Sequence, residues 1–221
     1  NGNIDNYILA CEELAKRGYY IFRMGINVLK PLKSNNPKII DYANLNRSDF
    51  MDIYLGSKCT FCISTAAGFD EIPNIFRRPI AYVGYTPIAL IETHHKDSLI
   101  ITKKHINKQS KKILSLKEIF LSNVGIALTA NEFEKNNIEL EENKPEEIKD
   151  LVIEMDERLN NKWHENDEDL KLQKKTWSMF KTCVNDNKIM DPDYPTKKLL
   201  HGKINAKFGA NFLRQNKSWV E

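Results

Sequence analysis

The sequence predicts an α/β protein: a Rossmann-like parallel sheet flanked by helices, with a helical C-terminal tail. Short apolar runs rich in β-branched and aromatic residues alternate with helical patterns through the first half. The second half is mainly helical, and no internal repeat or Gly/Ser linker divides the chain. These observations set residues 1–160 as the sheet domain and residues 161–221 as a helical extension.

The elements follow in order. Asn6 to Arg17 places Tyr7, Leu9, Ala10 and Leu14 toward one side of a helix that Gly18 ends. Tyr19 to Met24 is a buried strand stopped at Gly25, and Lys38 to Tyr42 is a second, shorter one. Ser48 is an N-cap for a helix through Leu55. Cys59 to Ser64 is a third strand, Gly68 to Phe76 a helix, and Pro79 to Val83 a fourth strand. Asp97 to Ile101 reads as a fifth strand or a short edge piece. Beyond it, Ser115 and Glu118 have capping-box spacing, and the helix they open runs through Leu121. Pro145 starts a long amphipathic helix whose apolar stripe is Ile148, Leu151, Val152, Met155 and Leu159. Helices are expected over 167–183 and, basic and amphipathic, over 203–215.

Composition excludes several classes. In 221 residues, 41% are apolar and 10% aromatic, enough for a core and against wholesale disorder. No apolar run approaches the roughly 18–20 residues of a membrane span. The first residues, Asn1 to Asp5, lack a basic and apolar leader and an initiator Met, so the expectation is a piece of a longer protein. The net charge of +3 hides an asymmetry: residues 131–170 hold 15 acidic and 5 basic side chains, read as a solvated helical face. Thr196 to Lys217 holds six Lys/Arg and no acid, a segment suited to docking on its own domain or meeting an anionic surface. Cys59 and Cys62 form a CxxC inside a strand-like run, where alternation sends them to opposite faces. With no second CxxC, buried thiols and a reducing cytoplasm are the reading.

In open α/β sheets, ligands collect at the carboxyl ends of the strands. Two ends carry suitable chemistry. At the first, Arg23 and Gly25 arrive together: a guanidinium fork matches phosphate oxygens, and glycine admits close approach. The same Arg23 equally suits an ion pair with Asp41 or Asp52. At the second, Ser64, Thr65, Ala66, Ala67 and Gly68 lead from a strand into a helix, where free amides favour an anion or the hydroxyls simply cap. Asp41, Asp70 and Tyr85 are secondary candidates. Neither a P-loop nor GxGxxG occurs. No metal site is assigned: His94 and His95 are adjacent, and neighbouring side chains rarely converge on one ion.

Taken as an ordered set, Gly18 to Gly25, Ile40 to Ala43, Arg47 to Leu55, Cys59 to Gly68, Ile75 to Pro79 and Phe208 to Leu213 resemble a family of bacterial glycosyltransferases that build surface polysaccharides. The resemblance spans most of the chain and is strongest over 18–90. It implies the GT-B fold, with this chain as the C-terminal half that holds a nucleotide-sugar donor. It implies a diphosphate near Arg23 and the Ser64–Gly68 turn, no cofactor and no metal, a glycan or lipid-linked acceptor, and a catalytic base on a further N-terminal domain. The implied setting is the cytoplasm, including the inner face of the membrane, with no nucleic-acid partner. Relatives often carry Ser directly before the Gly of the turn, where this chain has Ala67. A non-catalytic nucleotide-sugar-binding domain and a sugar-nucleotide epimerase share the same fold and stand as alternatives.

Overall fold

The computed structural model describes residues 2–45, 47–122, 124–185 and 204–220. After a 3-10 turn at Ile4–Tyr7, helix α1 (Ile8–Lys16) places Ala10, Cys11, Leu14 and Ala15 inward. It ends in a Schellman closure: Gly18, at φ 103, donates to the Ala15 carbonyl and the Tyr19 amide to that of Leu14. Strands β1 (Ile21–Phe22) and β2 (Ile39–Ile40) then pair in parallel, Ile21 opposite Ile39. Helix α2 (Asp49–Lys58) starts on the expected cap, Ser48 Oγ accepting from the Met51 amide at 3.3 Å.

The main sheet joins β3 (Cys62–Ser64), β4 (Ile80–Tyr85), β5 (Leu99–Thr102) and β8 (Lys207–Phe208) in that order, all parallel. Between β3 and β4 lies the short helix α3 (Glu71–Ile75). Tyr19, just before β1, packs edge-on against Phe61, just before β3 (centroids 5.9 Å), so the β1–β2 pair begins beside the main sheet. The interior strands β4 and β5 are almost continuously buried, as a parallel sheet covered on both faces requires.

Of the two readings of 97–101, the fifth strand holds and the edge piece does not: β5 lies inside the sheet, with every residue at 2% exposure or less. One expectation changes here. The last strand supplies its outer neighbour: Lys207–Phe208, inside the segment expected to be a helix over 203–215, pairs with Leu99 and Ile100. Only α8 (Ala210–Gln215) is helical there. Gly209 separates the two states by sitting where a Cβ would meet Leu151 Cδ1 at 3.0 Å and Ile101 Cγ2 at 3.1 Å. The C-terminal tail therefore contains a strand of the main sheet.

Between β5 and β8 the described residues form an antiparallel pair, β6 (Lys104–Asn107) with β7 (Ile138–Glu141), and the α-helices α4 to α7. Helix α4 (Leu116–Leu121) carries the expected Ser115–Glu118 capping box; α5 (Ala130–Lys135) carries another from Thr129 and Glu132. Helix α6 (Pro145–Leu159) buries Ile148, Leu151, Val152 and Met155, packs on α1 and covers the sheet. Helix α7 (Asp167–Asn185) reaches β8 through Gln173, whose side chain accepts from the Phe208 amide (3.1 Å) and donates to the Phe208 carbonyl (2.5 Å).

The acidic stretch is not simply a solvated face. Glu147, Glu154, Asp156 and Asp169 are buried, and each meets a cation: Lys104, Arg158, Arg17 and Arg214 respectively. Glu154 also accepts the Ala210 amide at 2.7 Å, tying α6 to the start of α8. None of the four cysteines is in a disulfide, and Cys59 lies at the end of α2 rather than in β3. Among the described residues, no helix is long and apolar enough to cross a membrane.

Candidate functional site at the strand ends

The carboxyl ends of β1 and β3 carry the two predicted groups of residues. Arg23 follows β1 directly. Its Nη1 donates to Asp41 Oδ1 at 3.2 Å and to the Lys30 carbonyl at 2.6 Å. Asp41 Oδ2 accepts from the Leu32 amide at 2.9 Å and from Asn44 at 2.7 Å. Of the two carboxylates suited to pair with Arg23, Asp41 takes the role; Asp52 pairs with Arg47. Burial alone would raise the Asp41 carboxyl, but the Asn44 amide, the Leu32 N–H and the Arg23 charge outweigh it and hold the carboxyl below its ordinary range. The Nε and Nη2 groups of Arg23 have no partner among the described residues, so half of the fork is uncommitted. Gly25, at φ 143, turns the chain away from the strand.

After β3, Ser64 is buried and its Oγ accepts from the Ala66 amide at 3.0 Å. Ala66 (φ 58) and Gly68 (φ 74) are both left-handed, and residues 66–68 are exposed. The helix expected from Gly68 begins only at Glu71, because the left-handed Gly68 lies outside the helical region. The turn is therefore a free-standing loop, not the first turn of a helix, and a helix dipole adds nothing to it. One of the three small-residue amides, that of Ala66, is taken by Ser64; those of Ala67 and Gly68 have no partner among the described residues. Left-handed residues interleaved in such a turn form a concave nest of N–H groups, a shape that accepts anions.

The N-terminal segment runs between these places. Gly2 lies over Thr65, its position for a Cβ being 3.6 Å from Thr65 Cγ2. Asn3 Oδ1 and Asp5 Oδ2 accept from Lys30 Nζ at 3.0 and 2.5 Å, in the same loop whose carbonyl holds Arg23. Tyr7, beneath, is raised by burial and by the nearby Glu142 charge.

The secondary candidates fall elsewhere. Asp41 supports Arg23. Asp70 is buried at the start of α3 and makes no capping bond. Tyr85 is committed: its hydroxyl donates to the Leu90 carbonyl at 3.0 Å and accepts from the Glu92 amide at 3.3 Å, and it packs edge-on with Tyr82.

One group was not assembled from the sequence. Glu92, His94 and His95 bring their potential ligand atoms within 4.8 Å of one another. Asn74 on α3 contacts two of them, bonding His95 Nε2 through Oδ1 and Glu92 Oε2 through Nδ2 at 3.3 Å. Burial, then the Glu71 charge, raises the Glu92 carboxyl; burial, then His94, lowers His95. The visible signal is the His94–His95 pair, to which the sequence assigns no metal because neighbouring side chains rarely converge on one ion; here residues 91–95 are irregular, and a third group, Glu92, lies beside them.

These features define an α/β domain whose four-stranded parallel sheet is flanked by helices, an architecture compatible with a Rossmann-like fold. No family model, curated protein or solved structure matches the chain.

Proposed function

We propose that this chain is the donor-binding half of a GT-B glycosyltransferase, moving a sugar from a nucleotide diphosphate to a glycan or lipid-linked acceptor in surface polysaccharide synthesis. The observation that carries the reading is the Ser64–Gly68 turn at the end of β3, exposed over residues 66–68, whose Ala67 and Gly68 amides have no partner among the described residues. Its setting at the carboxyl ends of parallel strands supports the reading, as does the resemblance over residues 18–90.

In the reaction, an acceptor hydroxyl attacks the anomeric carbon, the bond to the diphosphate oxygen breaks, and the hydroxyl proton passes to a base supplied by the partner domain. The diphosphate leaves with an added negative charge. The turn amides and the uncommitted face of Arg23 offset that charge as it develops, which needs no cofactor. The work belongs in the cytoplasm, at the inner membrane face where a lipid-linked acceptor is reached.

Isothermal titration with UDP, GDP and CMP tests the donor site. Binding of at least one nucleotide, weakened in R23A, is expected; absence of heat with all three removes the donor-site reading. Sugar release from a nucleotide sugar by the chain joined to its partner domain then separates an enzyme from a binding domain.

A further inference from the structure

We propose that Glu92, His94 and His95 bind a first-row divalent transition metal of the Zn2+ type, an assignment that does not rest on the donor-site reading. The three residues lie in the irregular segment between β4 and β5, where adjacent side chains do not alternate as they do in a strand. The His94 and His95 rings are 4.5 Å apart and inclined by 46°, and one ligand atom from each residue falls within a 4.8 Å group.

The surroundings orient two of these ligands. Asn74 Oδ1 can only accept, so the His95 Nε2 it meets carries the proton and Nδ1 keeps its lone pair. Metal-binding histidines are held this way, with the far ring nitrogen donating to an oxygen. The other end of the same amide donates to Glu92 Oε2, which also accepts from the Tyr82 hydroxyl at 3.3 Å. Glu92 Oε1 accepts no bond among the described residues.

The backbone is held too. The Glu92 amide donates to Tyr85, the Thr93 carbonyl accepts from the Asn205 and Ala206 amides at 2.8 and 3.0 Å, and the His94 carbonyl accepts from Asn205 Nδ2 at 2.9 Å. With metal–ligand distances of about 2.0–2.2 Å, a tetrahedral ion needs its ligand atoms about 3.3 Å apart. Glu92 and His95 are half-buried and braced, while His94 is exposed, so the His94 ring is the ligand with most room to adjust as the group draws in from 4.8 Å. Two imidazoles and one carboxylate suit Zn2+, Co2+ or Ni2+ rather than Mg2+ or Ca2+. Three protein ligands would leave a tetrahedral ion to take its fourth ligand from water.

The test is titration of chelator-treated protein with Co2+, read by visible absorption, followed by displacement with Zn2+. One equivalent is expected, unaffected by excess Mg2+. E92Q and H95A should each weaken binding at least about 10-fold, and N74A by about 10- to 100-fold. Far-UV circular dichroism without metal should match the parent chain. To separate lost binding from lost fold, proton NMR of the parent supplies an independent check: Co2+ should shift the ring signals of two of the five histidines. No spectral change on adding Co2+, equal affinity in the H94A/H95A double variant, or shifts at other histidines would overturn the assignment.

Discussion

Arg23 Nη1 lies 3.2 Å from Asp41 Oδ1, joining the residue after β1 to the residue after β2. Because the same nitrogen holds the Lys30 carbonyl, this pair fixes the loop over the strand ends. D41A leaves a largely buried guanidinium short of its partner and is expected to cost about 1–3 kcal/mol in urea unfolding. The Asp41 carboxyl is held below its ordinary range in the fold. Its stabilising share is present above the unfolded value of about 3.9 and is lost as pH falls through the folded one. D41N should therefore flatten the stability profile at the acid end, below about pH 4, and unchanged profiles would contradict the role given to Asp41.

The turn after β3 offers a gain-of-function experiment. A67S adds a hydroxyl beside two unpartnered amides. If that hydroxyl meets phosphate, one added hydrogen bond of about 0.5–1.5 kcal/mol tightens nucleotide binding roughly 2- to 10-fold. G68V acts in the opposite direction, since φ 74 is strained for a β-branched residue, and should weaken binding through the distorted turn. Calorimetry on both variants reads the result.

His105 on β6 is fully buried. Its Nδ1 donates to the Lys103 carbonyl at 3.2 Å, and its Nε2 has no partner among the described residues. Burial lowers its pKa to about 4. The unfolded chain takes up this proton near pH 6.5 while the folded chain does not, so stability falls as pH drops from about 6.5 toward 4. H105L removes that loss. Its unfolding midpoint should change less than the parent's across this window.

Gly209 sets how closely β8 approaches α6. The Cβ of G209A meets Leu151 and Ile101 at 3.0 and 3.1 Å. Both neighbours belong to the packed core, so an overpacking cost of about 1–3 kcal/mol is expected, with an unchanged denaturant slope. A wild-type midpoint in G209A would show that the core yields more easily than its burial implies.

The parallel sheet was legible because β4 is a long apolar run and because helical patterns intervene between strands. The Ser48 cap and the Ser115–Glu118 box were legible because their signals are local. What escaped depended on distant partners. Phe208 and Phe212, four apart, match a helix face, yet Phe208 belongs to a two-residue strand whose existence depends on Leu99 and Ile100. The β6–β7 pair joins residues more than thirty positions apart, with α4 and α5 between them. At the strand ends, Arg23 and Ser64–Gly68 were readable by position, but Asp41 over Asp52 was a choice only geometry makes. The Glu92–His94–His95 group stayed hidden because coil dihedrals, not spacing, bring it together.

The placement of β8 also has a consequence during synthesis. Leu99 and Ile100 leave the ribosome more than a hundred residues before Lys207 and Phe208, the strand that covers their open edge. Until those residues emerge, a nascent chain presents an apolar strand with one open edge to its surroundings, a state open to misassociation. Closure of this edge thus waits for Lys207 and Phe208, and products stalled before them would carry the exposed edge as a mark for chaperones and proteases.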